Sequence, residues 1–234
     1  GLASHAAGAP QDGINALKAA NIAMMAMDSQ RESFEDKDKV RVHGILTAGG
    51  TSVNSIPSIA KLEWRIRGRT IDVVNKINTK IDRSIKAGAM AMGAKVRIRS
   101  IAGNLPMLQN KHMNNIYLNN AENIVGKNNV VLHPDDQSGG STDMGDLSQI
   151  LPIIHPRSGG AEGTGHGNNY FIKDYEKSVI NPAKAMATTI IDLLWPDDMQ
   201  INEVINNHKP NYSISEYIAL QNKRMGNDFN DYTS

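Results

Sequence analysis

Hydrophobic and polar positions alternate with two different periods along the first hundred residues. Apolar side chains three or four residues apart predict helices, and strict alternation predicts strands. The predicted elements are the end of a strand at 1–10, a helix at 10–29, strands at 39–46 and 59–70, a helix at 71–92 and a strand at 95–100. This order, β-α-β-β-α-β, predicts a ferredoxin-like domain with one four-stranded antiparallel sheet and both helices on one face.

The remaining residues give a less regular pattern. It predicts a helix at 105–126, a short strand at 130–134, and a helix that begins at Asn181-Pro182 with an N-cap and ends at Trp195-Pro196. The tail is polar and predicts no element. We therefore divide the chain into a ferredoxin-like domain at 1–104, a second region at 105–196 and an unassigned tail at 197–234.

Composition narrows the class of protein. Hydrophobic residues make up 40% of the chain, enough for a core, and the net charge of +1 argues against a nucleic-acid binder. No run approaches the roughly 18 apolar residues that span a bilayer. The chain has no Cys, which excludes disulfides and thiolate chemistry and leaves His, Asp and Glu as metal ligands. We expect a cytoplasmic protein without a membrane or nucleic-acid partner.

Five stretches place polar side chains on a glycine-rich backbone, where N–H groups can approach a ligand closely. They are SHAAGAP (4–10), HGILTAGGTSVNSIP (43–57), RIRGRT (65–70), GGSTDMGDLS (139–148) and HPRSGGAEGTGHGNNY (155–170). One such stretch is usually only a turn. Five in one chain, three of them with a histidine, indicate an active site.

These motifs and their order resemble the dinuclear metal amidohydrolases of metallopeptidase family twenty. HGIxTxGG and GSTDxGxxS occur together in the branch of aminobenzoyl-glutamate hydrolase and Xaa-Arg dipeptidase. The resemblance covers about residues 1–195. It implies an α/β protein in which the ferredoxin-like domain is a lid and a homodimerisation surface, followed by the C-terminal part of the catalytic domain. The N-terminal half of that domain, with most metal ligands and the general base, would lie outside this sequence.

The resemblance also implies roles for three lid residues. His5 matches the histidine that reaches into the partner subunit's active site and donates a hydrogen bond to the oxyanion. Asn54 matches an asparagine that binds a substrate carboxylate or carbonyl oxygen. Arg67 matches an arginine that grips the substrate carboxylate, although Arg65 lies on the same face and could take that role.

Further roles fall on the second region. His166 matches the family's last metal ligand, and Gly159 and Gly160 match backbone that lies against the substrate. The cofactors implied are two divalent metal ions, with zinc favoured over manganese or cobalt. Asp143 is either a loop-capping residue or an outer-shell partner of the metal site. The resemblance assigns no clear role to His43.

The function implied is metal-dependent hydrolysis of the amide bond of N-acyl amino acids or dipeptides with a free carboxylate. The alternative is that this chain is a catalytically incomplete lid and dimerisation fragment, because one histidine cannot hold a catalytic zinc. RNA binding by the sheet is disfavoured, since its strands lack the aromatic residues that stack on bases.

Overall fold

A computed structural model of the chain describes residues 1–132 and 142–233. They form a mixed helix and strand protein with two compact units. The first unit contains residues 1–106 and 218–233, and the second contains residues 107–132 and 142–217. The mixed α/β class predicted from the sequence is confirmed.

The first unit contains most of the elements predicted from periodicity. They are helices α1 (Ala16–Ser29) and α2 (Ile71–Ala91) and strands β1 (Arg41–Ala48), β2 (Lys61–Arg67) and β3 (Lys95–Ser100). A further strand, β6 (Gly226–Asp231), lies in the tail, where the sequence predicted no element. Both helices begin at side-chain caps. Asn15 Oδ1 accepts the Lys18 N–H at 3.0 Å, and Thr70 Oγ1 accepts the Val73 N–H at 3.3 Å. Such caps satisfy donors that the first helical turn leaves free.

The core of this unit lies between the two helices and one face of a β1–β2 hairpin. Met27 of α1, Val42 of β1, and Ile77 and Ile81 of α2 are buried together, and Trp64 of β2 packs against them. The opposite face of the hairpin carries the polar side chains. The hydrophobic alternation predicted for these strands therefore assigns their faces correctly.

α1 and α2 approach each other very closely at one point. A Cβ on Gly88 of α2 would lie 2.4 Å from the Ala19 carbonyl oxygen and 2.8 Å from the Ala23 Cβ of α1. Small residues on both helices permit this contact. In the same way, a Cβ on Gly44 of β1 would collide with the Trp64 ring, its cross-strand partner.

The predicted four-stranded sheet is not confirmed. Among the described residues, β1 pairs only with β2, while β3 pairs antiparallel with β6 over its whole length. Residues 1–10 form two isolated bridges, Leu2 with Ile14 and His5 with Ser55, instead of a strand. This segment consists mainly of glycine and alanine, so it has little apolar surface with which to join a sheet.

The second unit is mostly helical. Its elements are helices α3 (Lys111–Val125), α4 (Met144–Leu147), α5 (Asn181–Leu194) and α6 (Met199–Asn207), strands β4 (Ala161–Glu162) and β5 (Phe171–Ile172), and the start of α7 (Ile214–Arg224), which runs on into the first unit. Asn120 of α3 donates to Asp192 of α5 at 2.7 Å, next to the buried Thr189.

Three predictions for this region were wrong in detail. The helix predicted from residue 105 begins at Lys111, where the Asn110 side chain caps it. Residues 130–132 form no strand, and the rest of the predicted strand lies outside the described residues. Asn181 is not an N-cap, because a π-helix at Glu176–Ile180 leads directly into α5. The predicted end of this helix at Trp195 is correct.

Candidate active site

His5 lies on an exposed turn at the start of the first unit. Its backbone bridges to Ser55, and the Ala6 N–H donates to the Asn54 carbonyl oxygen at 2.9 Å. Its ring nitrogen Nδ1 accepts two backbone hydrogen bonds, from the Gly8 N–H at 2.9 Å and the Ala7 N–H at 3.2 Å. The ring is thus held at its Nδ1 side, and sequence reasoning missed both holding amides. The run of small residues after His5 was the available signal.

Asn54 lies in the long loop that joins β1 to β2, beside the His5 turn. Its side chain is exposed, and its Oδ1 accepts a hydrogen bond from the Ser52 hydroxyl. The Nδ2 atom of Asn54 donates to none of the described residues, and such an amide can donate to a carbonyl or a carboxylate oxygen. The structure therefore brings two of the residues predicted from the sequence together through the backbone contacts of residues 4–6 with 54–56.

Arg67 is the last residue of β2 and is half-buried. It pairs with Arg41 of β1, and Arg65 pairs with the exposed His43. These four residues lie on the hairpin face that points away from the core, and the three arginines make this face positively charged. Arg67 lies at the end of the hairpin opposite the connecting loop, about 20 Å from Lys61 at a strand rise of about 3.3 Å per residue. The structure thus does not place Arg67 in the loop with Asn54.

Gly159 and Gly160 precede β4 in the second unit. Gly160 has φ of 94°, and its carbonyl oxygen accepts the N–H groups of Lys173 and Asp174 at 2.9 Å each. The Gly159 carbonyl oxygen accepts the Ser178 hydroxyl at 2.8 Å. Apart from its chain neighbours, no heavy atom of the described residues lies within 4 Å of the place where a Gly159 Cβ would be. Hydrogen bonds therefore hold the backbone of Gly160 in place, while the space beside the Gly159 Cα is open.

His166 lies in the loop between β4 and β5 and is exposed. Its φ is 66°, a left-handed conformation, and the loop around it is closed by the Gly167 N–H donating to the Thr164 carbonyl oxygen at 2.7 Å. Asn169 Oδ1 accepts the Thr164 N–H at 3.2 Å. The residues after His166 are Gly-Asn-Asn, and Asn169 organises the loop through this contact.

Within residues 1–132 and 142–233, no three His, Asp or Glu side chains are close enough together to hold a metal ion. His166 can supply one ligand, so the described residues do not form a metal centre by themselves. Asp143 Oδ1 accepts the Met144 N–H at 3.1 Å and the Thr142 hydroxyl at 2.8 Å, which is the contact pattern of a capping residue. The first residues of the GGSTDMGDLS motif, 139–141, lie outside the described residues.

Comparison with known proteins confirms the class to which the sequence motifs point. The chain is related to the amidohydrolases of metallopeptidase family twenty. It is 31% identical over 205 residues to the Xaa-Arg dipeptidase of Mus musculus, an alignment that covers 83% of this chain and 46% of the dipeptidase. It is 40% identical over 100 residues to the indole-3-acetyl-aspartic acid hydrolase of Enterobacter agglomerans, covering 42% of this chain and 22% of that protein.

A third relative is one of the subunits of the p-aminobenzoyl-glutamate hydrolase of Escherichia coli K12. It is 26% identical over 205 residues, which are 83% of this chain and 45% of the relative. No family model matches the chain. The chain spans about half the length of the curated relatives that match most of it, 45% to 47%. In the part of the chain that the structure describes, no helix has the length and apolar character needed to cross a membrane.

Proposed function

We propose that this protein hydrolyses the amide bond of N-acyl amino acids or dipeptides that carry a free carboxylate. The relatives are named for a dipeptide, for indole-3-acetyl-aspartic acid and for p-aminobenzoyl-glutamate. In all three compounds an amide joins an acyl group to an amino acid. The chain covers only about half of its longer relatives, 46% for the mouse dipeptidase, so the activity is proposed for the whole protein.

The observation that carries this proposal is the meeting of His5 and Asn54. Both side chains are exposed on adjoining backbone segments, and each offers a hydrogen-bond donor. His5 would donate to the amide oxygen as it gains negative charge, and Asn54 would hold a substrate oxygen. Arg67, or Arg65 beside it, would bind the substrate carboxylate with the planar fork of its guanidinium.

The remaining parts of the site belong to the proposal through the family resemblance. His166 would be one ligand of a divalent metal centre, with zinc favoured over manganese or cobalt, and Gly159 and Gly160 would line the substrate. When bound, such ions supply an activated water. The protein would be a cytoplasmic homodimer in which a ferredoxin-like lid joins two copies.

The strand edges offer surfaces for pairing between copies. Among the described residues, the pairs β1–β2 and β3–β6 are separate two-stranded sheets, and each strand has one edge without a neighbouring strand. An uncovered edge offers unpaired backbone groups to a second chain. We propose that two copies of the lid pair through such an edge strand or through its helix face.

The test is amine release from N-acetyl amino acids and Xaa-Arg dipeptides by the protein at its natural length, with zinc, manganese or cobalt supplied. We expect His5→Ala to lower kcat by about 10²- to 10³-fold, the usual effect of removing an oxyanion donor. Met25→Ala, an exposed change on α1, is the control and should leave kcat unchanged. If no acyl amino acid or dipeptide is cleaved, the proposed function is wrong.

The same assay on residues 1–234 alone separates the two hypotheses for this chain. Hydrolysis by the natural-length protein but not by these residues would identify the chain as a catalytically incomplete lid and dimerisation module. Hydrolysis by both would show that the chain is sufficient.

A further inference from the structure

Besides lying next to the Asn54 segment, His5 is contacted by the backbone of the turn that follows it. After His5 the chain turns back on itself, with the Ala9 N–H donating to the His5 carbonyl oxygen at 3.0 Å. Inside this turn, the N–H groups of Ala7 and Gly8 both point at the Nδ1 atom of His5, at 3.2 and 2.9 Å. Two amide donors therefore converge on one ring nitrogen of an exposed side chain.

A neutral imidazole carries one proton, and its two nitrogens have different roles. The protonated nitrogen can only donate, and the other can only accept. Because Nδ1 accepts from two amides, the ring proton must be on Nε2. The turn also orients the ring, because Nε2 is the ring nitrogen remote from the two amides.

We propose that the Ala7 and Gly8 amides are positioning groups that fix His5 as an Nε2–H hydrogen-bond donor. An exposed histidine without such contacts exchanges between both tautomers and turns freely about its side-chain bonds. Here the tautomer and the ring orientation are set before a ligand arrives. For the reaction, this inference rests on the proposed function, since the fixed donor is the group that would meet the amide oxygen.

Gly8 has a second, steric part in this arrangement. A Cβ on Gly8 would lie 3.3 Å from Nδ1 and 3.6 Å from Cγ of His5, so the ring lies directly against the glycine. Even with its N–H intact, an alanine here would require the ring to shift by a few tenths of an ångström. Gly8 is therefore a positioning residue by both its amide and its size.

The first test measures the tautomer in this chain without any substrate. Long-range ¹H–¹⁵N NMR of the ¹⁵N-labelled histidine rings distinguishes a protonated from an unprotonated ring nitrogen, and His5→Gln assigns the signals. We expect His5 Nε2 to be protonated and Nδ1 unprotonated, without averaging. His43 is the reference inside the same molecule, because it is exposed and its ring has no hydrogen bond to the described residues. If the His5 nitrogens show the same averaged signals as those of His43, or if Nδ1 carries the proton, the inference is wrong.

Two variants test the amide and the size of Gly8 separately. Gly8→Pro removes the N–H and should move the His5 signals toward those of His43, whereas Gly8→Ala keeps the N–H and should preserve the tautomer. If Gly8→Pro disturbs the turn, glycolic acid at position 8 removes the N–H with little change in shape. An unchanged His5 spectrum in a folded variant without this N–H would overturn the role of Gly8.

Activity then connects the tautomer to the reaction. In the natural-length protein, Gly8→Pro should lower kcat by between about 2-fold, if half the molecules hold the other tautomer, and about 10²-fold, if the donor is lost altogether. KM should change little, because substrate binding is assigned to other residues. A fixed tautomer in a protein that cleaves no amide would leave this inference standing and remove the proposed function. A lost tautomer with unchanged kcat would remove the catalytic meaning of this inference alone.

Discussion

The contact of α1 with α2 makes a sharp prediction about Gly88. In an isolated helix, Gly→Ala stabilises by about 0.8–1.0 kcal/mol, because glycine loses more backbone freedom on folding. At position 88 the added methyl would lie 2.4 Å from the Ala19 carbonyl oxygen, 2.6 Å from the Ala23 nitrogen and 2.8 Å from the Ala23 Cβ. The first of these is about 1 Å shorter than an ordinary contact of about 3.5 Å.

Two opposing terms decide the result. Overpacking usually costs about 1–3 kcal/mol, and two of the three blocking atoms belong to backbone that cannot rotate away. We therefore take the upper end, about 3 kcal/mol, and subtract about 1 kcal/mol for helix propensity. Gly88→Ala should lower the free energy of unfolding of the first unit by about 2 kcal/mol. At a urea slope of about 2 kcal/mol/M, the midpoint falls by about 1 M.

The two tryptophans allow the first unit to be followed by itself. Trp64 packs against its core, whereas Trp195, 72% exposed, belongs to the second unit. With Trp195 replaced by Phe, urea unfolding followed by fluorescence reports only Trp64. Ala87→Gly, one position away on the exposed side of α2, is the control and should destabilise by about 1 kcal/mol through propensity alone. If Gly88→Ala equals or exceeds the parent in stability while the control behaves as expected, the close helix contact is refuted.

Two further predictions concern Asp231 of β6 and the neighbouring glycines Gly159 and Gly160. Hydrogen bonds from the Thr233 hydroxyl and then from Lys95 lower the pKa of Asp231 to about 2, below the ordinary value of 3.8. The stability that the Asp231 carboxylate gives to the β3–β6 pair should therefore be complete above about pH 4 and lost as the pH falls through 2. NMR titration should find this midpoint and a higher one in Thr233→Val; equal midpoints would contradict the assignment. Gly160→Ala should destabilise the second unit by more than about 1 kcal/mol, because φ is 94° and the new Cβ would lie 2.4 Å from Ser178 Oγ. Gly159→Ala, with open space around it, is the matched control in thermal unfolding by circular dichroism, and equal effects of the two changes would refute this account.

Sequence periodicity located the elements whose faces differ in polarity. α2 and β3 were predicted to within one residue, because each alternates clearly between apolar and charged positions. β6 could not be found in this way. Its sequence GNDFND has one large apolar residue, and it is held by backbone pairing and by contacts such as Asp231 with Lys95 at 3.0 Å. Such contacts between distant parts of the chain leave no local period.

The same difference between local sequence patterns and contacts of distant residues applies to the candidate site. The motif order predicted candidate residues, but it could not tell which of them the fold brings together. The segments of His5 and Asn54 meet through one isolated bridge, His5 with Ser55, whereas Arg67 lies at the other end of the β1–β2 hairpin. The sequence stretch SHAAGAP suggested a histidine among small residues that leave room for a ligand. In the structure the small residues also act on the histidine itself, because the amides of Ala7 and Gly8 reach its ring. A Cβ at position 8 would lie only 3.3 Å from Nδ1 of that ring, so the glycine at this position suits the geometry of the turn.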